Sequence, residues 1–207
     1  MKSMKALRLC GFSPGPFLRG RDPVELVEAQ IRGGVDVIQL REKDASKREK
    51  LELGFRLRAV TREKGILFIV NDDVDLALIL DADGVHLGQD DIPIAYARPM
   101  MQNKIIGIST HNLKQVKNAV ASGADYLGFG PVFDTSTKPD TEPLVGLSLL
   151  SQVKGICPIP YLAIGGIDHT NIHQLSEVGC HRAAVISDIL LAADIAEKCR
   201  FLRSKLR

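Results

Sequence analysis

The sequence predicts an α/β fold: a (β/α)8 barrel of the TIM type, built as a single domain over residues 1–207. Two observations carry that expectation. Short β-branched runs alternate with amphipathic helical patterns, which implies a parallel sheet, and eight such units in 207 residues fit the low end of the barrel's size range. The side chains with chemical potential also gather directly after the candidate strands, the end at which such barrels keep their active sites. A doubly wound open sheet shares the alternation, because periodicity alone does not reveal closure. No linker-like or low-complexity stretch divides the chain.

The candidate strands are Leu7–Cys10, Val35–Leu40, Ile66–Val70, Gly84–Leu87, Ile105–Ile108, Tyr126–Phe129, Pro160–Ile164 and Arg182–Ile186. Small-residue turns lead into four of them, through Gly34-Val35-Asp36, Ala82-Asp83-Gly84, Gly123-Ala124-Asp125 and Gly179-Cys180-His181. After the first strand, Asp22-Pro23-Val24-Glu25 starts a helix: Asp22 caps it, Pro23 suits the first position and Glu25 completes a capping box. Val24, Val27 and Ile31 share its inner face and Gly33 ends it. Ser46-Lys47-Arg48-Glu49 starts the next helix in the same way, with Leu53, Leu57 and Val60 inward. Asn112 with Gln115 opens another, turning Val116, Ala119 and Val120 inward. A further helix is expected from Asp168, and a last one through Leu191 to the C-terminus.

Composition narrows the function classes. A formal charge of +2 gives no global field toward nucleic acid or an acidic membrane. No Trp and three Tyr leave little for a base-stacking platform. No apolar run approaches a membrane span, and the residues from Met1 to Arg8 are too short and broken for a secretory segment. Cys10, Cys157, Cys180 and Cys199 lie far apart, as free thiols in a reducing cytoplasm do.

Gln39-Leu40-Arg41-Glu42-Lys43 is the most informative stretch. With a side-chain period of two, Gln39, Arg41 and Lys43 project to one side where strand two ends. Unpaired buried cations are costly, so the trio points to a bound anion; plain neutralisation by Glu42 and Asp44 is the alternative. Asp72 and Asp91 follow strands three and four. Two carboxylates that leave room for water suit Mg²⁺, a hard cation that sits with substrate phosphates. Helix capping at Val74 and before Ile92-Pro93 explains each acidic pair separately, but together, beside Arg41, Lys43 and Lys138, they point to Mg²⁺ and a polyphosphate. Gly165-Gly166 after strand seven and Ile186-Ser187 after strand eight suggest a second anion site made of backbone N–H groups, although a glycine pair also makes a tight turn. Thr135-Ser136-Thr137-Lys138 would lie between the two. Two anion sites imply two phosphorylated substrates.

The ordered set Gln39–Lys43, Asn71-Asp72, Asp83–Asp91, Gly130–Phe133 with Thr135–Lys138, and Gly165-Gly166-Ile167 resembles the thiamine-phosphate synthase family, from about Asp22 to about Ile189. The resemblance implies a transferase that joins 4-amino-2-methyl-5-hydroxymethylpyrimidine diphosphate to a thiazole phosphate or its carboxylate, releasing pyrophosphate. It implies that Gln39, Arg41, Lys43, Asn71, Ser109 and Lys138 bind the pyrimidine diphosphate, with Arg41, Lys43 and Lys138 the catalytic cations. Asp72 and Asp91 would hold Mg²⁺. Thr135 and Thr137 would contact the thiazole, and Gly166, Ile186 and Ser187 its phosphate. The implied chemistry is dissociative: diphosphate departs, the aminopyrimidine stabilises the cation, and the thiazole nitrogen attacks. Such a site needs positioning and electrostatic stabilisation rather than an activated nucleophile.

The first 20 residues depart from the pattern, which leaves the contacts of strand one unassigned. Two other readings stay open. A thiazole tautomerase would share the barrel and phosphate site and use a His, with His111 available. A non-catalytic barrel that binds a phosphorylated ligand would have lost charges that this chain retains. The sequence leaves the oligomeric state open, a homo-oligomer included, along with the part played by His86 or His111.

Overall fold

The computed structural model describes Met4, residues 7–135 and residues 143–207. Eight parallel strands close into a barrel in chain order: β1 (Leu9–Phe12), β2 (Val37–Leu40), β3 (Leu67–Asn71), β4 (Gly84–Leu87), β5 (Ile105–Thr110), β6 (Tyr126–Phe129), β7 (Tyr161–Ile164) and β8 (Ala183–Ala184). Pairing of β1 with both β2 and β8 closes the sheet and rules out the open alternative. Around it run α1 (Pro23–Arg32), α2 (Lys47–Glu63), α3 (Val74–Ile79), α4 (Ile94–Met101), α5 (Leu113–Ala121), α6 (Gly146–Ile156), α7 (His173–Glu177), α8 (Ser187–Leu190) and α9 (Ile195–Lys205).

Alternation along each strand divides the apolar residues between two cores. Ile38, Phe68, Val70, Val85, Leu87 and Leu127 face the helices and pack with Leu57, Leu150 and Leu202. Cys10, Phe12, Val37, Leu67, Ile69, Ile105, Tyr126 and Leu162 fill the barrel. Burial on both faces is why the strands read as continuous apolar runs rather than as alternating ones. The inward rows of β2, β3 and β5 continue as Gln39, Asn71 and Ser109 at the C-terminal end.

The small-residue turns that lead into strands have a shared job at the opposite end. Asp36, just before β2, accepts from the backbone N–H groups of Arg8 and Leu9 at 2.8 and 3.1 Å. Asp83, before β4, accepts from Phe68 at 2.8 Å, and Asp125, before β6, from Ile106 at 2.8 Å. Each is met by an arginine from the surrounding helices: Arg203 on α9, Arg58 on α2 and Arg98 on α4. Thus each acid ties the strand it precedes to the strand before that. The fourth turn, before β8, carries His181-Arg182 in place of the acid.

Helix caps follow the sequence closely in three places. Ser46 and Glu49 form the full capping box, Asn112 accepts from Gln115 N–H, and Asp22 accepts from Val24 and Glu25 N–H, although Glu25 does not return the bond that a capping box requires. Other expectations are corrected. The buried face of α1 is Leu26, Val27 and Gln30, with Val24 and Ile31 only half-buried. Gln30 turns inward because its amide clamps the end of β1, accepting from Phe12 N–H at 3.1 Å and donating to Phe12 C=O at 2.9 Å. Asp168 closes a turn onto Thr170 and Asn171 N–H instead of starting a helix, and α7 begins at His173. The last helix breaks into α8 and α9, the second capped by Asp194. β1 starts two residues later than expected.

Candidate active site

Gln39 is buried at the end of β2, Arg41 is half-buried and Lys43 is exposed. The exit of β1, which sequence reasoning left unassigned, props this segment from below. Ser13 N–H donates to Gln39 C=O at 2.9 Å, Ser13 Oγ accepts from Arg41 N–H at 2.8 Å, and Gly15 N–H donates to the Glu42 carboxylate at 3.0 Å. Glu42 is therefore held in a structural contact, and Arg41 is left to face the acids across the mouth. Burial pulls the Arg41 guanidinium below its ordinary pKa, while Asp72, Glu42 and Asp44 pull it back up; it stays charged.

Asp72 leaves β3 in the left-handed region, with φ 63°. Aspartate tolerates that conformation better than most side chains, at a cost of about 1 kcal/mol. Its N–H donates to His86 C=O at 2.8 Å. The turn brings its carboxyl against that of Asp91, and the two share a hydrogen bond. Asp91 is itself fixed by Gly88 N–H at 2.6 Å. Burial pushes the Asp72 carboxyl up to about 6, and the hydrogen bond and charge of Asp91 add to the rise; Lys43 and Arg41 oppose it. Two carboxyls this close share one proton or need a cation. Asp73 turns the other way and pairs with Lys50 at 2.8 Å and Lys47 at 3.3 Å, so only one acid of the Asp72-Asp73 pair faces the site.

Asn71, at the end of β3, sits in register with His86 on β4. Ser109 reaches inward from β5, where its Oγ lies 2.9 Å from His86 Nε2 and its C=O accepts from Gln89 at 2.6 Å. His111 is bound through Nδ1 to Gly130 C=O at 2.6 Å. The residues expected at the second anion site follow β7 and β8. Gly165 and Gly166 have φ values of 94° and 63°. A Cβ at Gly166 would lie 2.3 Å from Asp134 O, so glycine is required there. That close approach, with Phe133 N–H donating to Gly165 C=O at 3.0 Å, brings the loop after β6 to the end of β7. Ile186 and Ser187 begin α8 beside β8, where Asp188 is tied to Lys198 at 2.9 Å. Thr135 lies at the end of the described part of the loop after β6; Thr137 and Lys138 lie outside the described residues.

Thus Gln39, Arg41, Asp72 and Asp91 are joined by contacts or by charge around one mouth, with Asn71 and Ser109 at the strand ends below it. Sequence reasoning passed over Tyr126 and left open the part played by His86, both buried inside the barrel. Their signal was position: each falls on the inward register of its strand, in line with Asn71.

A profile of the family described as thiamine monophosphate synthase matches residues 13–189. The chain belongs to this family. It is 47% identical over 186 residues to the thiamine-phosphate synthase of Chloroflexus aurantiacus, covering 90% of this chain and 86% of the relative. Identity to that of Shouchella clausii is 45% over 193 residues, with 93% and 92% covered. Among solved structures, the thiamine phosphate pyrophosphorylase of Pyrococcus furiosus superposes with a TM-score of 0.87 at 39% identity, covering 97% of this chain and 95% of its own. A 3-hexulose-6-phosphate synthase superposes at 0.68 with 19% identity, a likeness of fold alone. The chain is therefore a transferase of the thiamine-phosphate synthase family, a family of thiamine biosynthesis, on a TIM barrel. Among the described residues, no helix is long and apolar enough to cross a membrane.

Proposed function

We propose that the chain condenses 4-amino-2-methyl-5-hydroxymethylpyrimidine diphosphate with thiazole phosphate, or its carboxylate, to give thiamine phosphate and pyrophosphate. One observation carries this reading: the Asp72–Asp91 carboxyl pair stands opposite Arg41 and Lys43 at the mouth of the barrel. That arrangement has one wall for a diphosphate and one for a cation.

The residues fit Mg²⁺. Asp72, whose proton affinity is raised by burial and by the adjoining Asp91 carboxyl, gains from a divalent cation in place of a proton. Among the described residues no cluster of three or more His, Cys, Asp or Glu could close around a metal. A pair of carboxylates is what an ion needs that keeps several waters and completes its shell with phosphate oxygens. When bound, the ion would neutralise charge on the departing diphosphate.

The chain's own residues do the rest. Arg41 and Lys43 hold the diphosphate and stabilise it as it leaves, joined in this reading by Lys138. Gln39, Asn71 and Ser109 orient the pyrimidine so that its methylene faces the thiazole. Gly166, Ile186 and Ser187 receive the thiazole phosphate, and Thr135 and Thr137 hold its ring. The thiazole nitrogen already offers its lone pair, so no base is required; positioning and electrostatic stabilisation supply the rate. The same reading expects the activity in the cytoplasm, where diffusible phosphorylated substrates would meet the chain.

Incubating the protein with both substrates and Mg²⁺ and weighing the products tests the reading. Equal amounts of thiamine phosphate and pyrophosphate are expected. A thiazole isomer without pyrophosphate would instead establish the tautomerase, and binding without turnover the non-catalytic barrel.

A further inference from the structure

The molecule is also concave at the end opposite the mouth, where the chain enters β1 and β2 and α9 finishes. A cavity of about 570 Å³ opens there, and five arginines line it: Arg8, Arg32, Arg200, Arg203 and Arg207. Its size suits a small ligand. Its charge stands apart in a chain whose net charge is only +2. Among the described residues, no aromatic ring and no acidic side chain lines it. The shape comes from the close approach of α1 to α9. A Cβ at Gly33 would lie 2.4 Å from Cys199 Cβ, so a larger residue there would push the helices apart. Gly34 turns the chain toward β2 with φ 92°. Its bare backbone forms the floor, and Arg203 lies across it, donating through Nη1 to Gly34 C=O at 2.8 Å and to Asp36.

Ordinary structural roles account for part of the cluster. Arg32 and Arg203 sit in the last turns of α1 and α9, where a cation complements the helix dipole. Arg8 donates through Nη1 to Leu206 C=O at 3.0 Å, and Arg32 stands 3.9 Å from Glu28. Arg200, inside α9, and Arg207, beyond its end, are both exposed. Neither forms an ion pair among the described residues, so two side-chain carboxylates, Glu28 and Asp36, answer five guanidiniums. A cleft lined by one sign of charge concentrates ions of the other. Guanidinium forks match phosphate oxygens, with two hydrogen bonds to one group. Arginines that arrive from the approach to β1, from α1 and from α9 call for several anionic groups in one ligand. With no ring to stack a base, the phosphates themselves are what the cavity reads.

We propose that this arginine-lined cavity binds a linear polyphosphate, inorganic or carried by a nucleotide, at a site separate from the mouth of the barrel. The proposal makes no use of the synthase reading and stands or falls without it.

Two measurements on the full chain test it. The first is calorimetric titration with inorganic tripolyphosphate of a chain carrying Arg41→Ala, which takes a cation from the mouth. Binding is expected to persist there, and to weaken at least about tenfold when Arg200→Ala and Arg207→Ala are added, because each charged hydrogen bond lost is worth about that factor. The unfolding temperature should hold, since neither side chain is tied into the fold. No binding to the Arg41→Ala chain, or equal binding with and without Arg200 and Arg207, would overturn the proposal. So would orthophosphate binding as tightly as tripolyphosphate, since one anionic group would then suffice, or ATP binding more than about tenfold tighter, since a base would then be read. The second is amide hydrogen exchange with and without tripolyphosphate. New protection is expected in α9 and at the turn through Gly33 and Gly34. Protection confined to the exits of β2, β3 and β4 would put the anion at the mouth and overturn the proposal.

Discussion

Asp36, Asp83 and Asp125 at the N-terminal end of the barrel each meet an arginine and a strand N–H. Asp72 and Asp91 at the C-terminal end meet each other. The first group is satisfied within the fold and contributes to stability. In the second, adjoining carboxyls stand in a partly buried mouth, one on a left-handed residue and raised to about 6. Stability alone does not favour that arrangement, because a nearby like charge and burial both work against ionisation. On the proposed synthase reading, the contrast separates acids that close a barrel from acids that would hold a cation, although all five lie at strand ends and look alike in composition.

The comparison makes predictions that can break it. Arg41→Ala should lower turnover by about 10²–10³-fold, the usual effect of removing one preorganised charge from a transition state, while thermal unfolding shifts little. Loss of fold instead of rate would place Arg41 with the structural group. Next in size, Asp83→Ala should cost about 1–3 kcal/mol, because it leaves both the Phe68 N–H and the Arg58 guanidinium without their carboxylate. Urea denaturation measures this, and the folded variant should retain its kcat. An unchanged midpoint would remove the distinction between the two ends.

The smallest effect concerns Asp72→Asn, read by unfolding temperature without metal. Asparagine tolerates the left-handed conformation, so the backbone is preserved. A carboxyl raised in the folded state favours folding when protonated and loses that advantage as pH rises through its folded value. The wild type is therefore penalised above about pH 6, and the variant should unfold at a slightly higher temperature there but not near pH 4. Equal unfolding temperatures at both pH values would mean that the two acids do not repel.

Much of this was legible in the chain. The strands stood out because both of their faces are buried, and the caps at Ser46 and Asn112 because each acts through residues three apart. Asp168 misled because one carboxyl serves equally well in a tight turn and at a helix start. α6 went unseen because no side chain caps it. The convergence of Asp72 and Asp91 was readable from their following adjacent strands. The support of Gln39–Lys43 by Ser13 and Gly15 was not, since a short polar exit loop carries no periodicity. Nor was the role of Gln30, whose burial depends on the end of β1 lying beside it. The Tyr126–His86 pairing needed the strand register, because their strands are separated by β5 and Gly107 leaves room between them.

The central claim is that Asp72 and Asp91 are set apart for a cation. Pyrophosphate release titrated against Mg²⁺, for wild type and Asp91→Ala at pH 7.5 and 5.5, tests it most directly. Because Asp72 takes up a proton below about pH 6, wild type should need more Mg²⁺ at the lower pH. Asp91→Ala should need at least about tenfold more at pH 7.5, the weakening expected from losing one of two carboxylate ligands. Superimposable titrations for the two proteins, at either pH, would contradict the account.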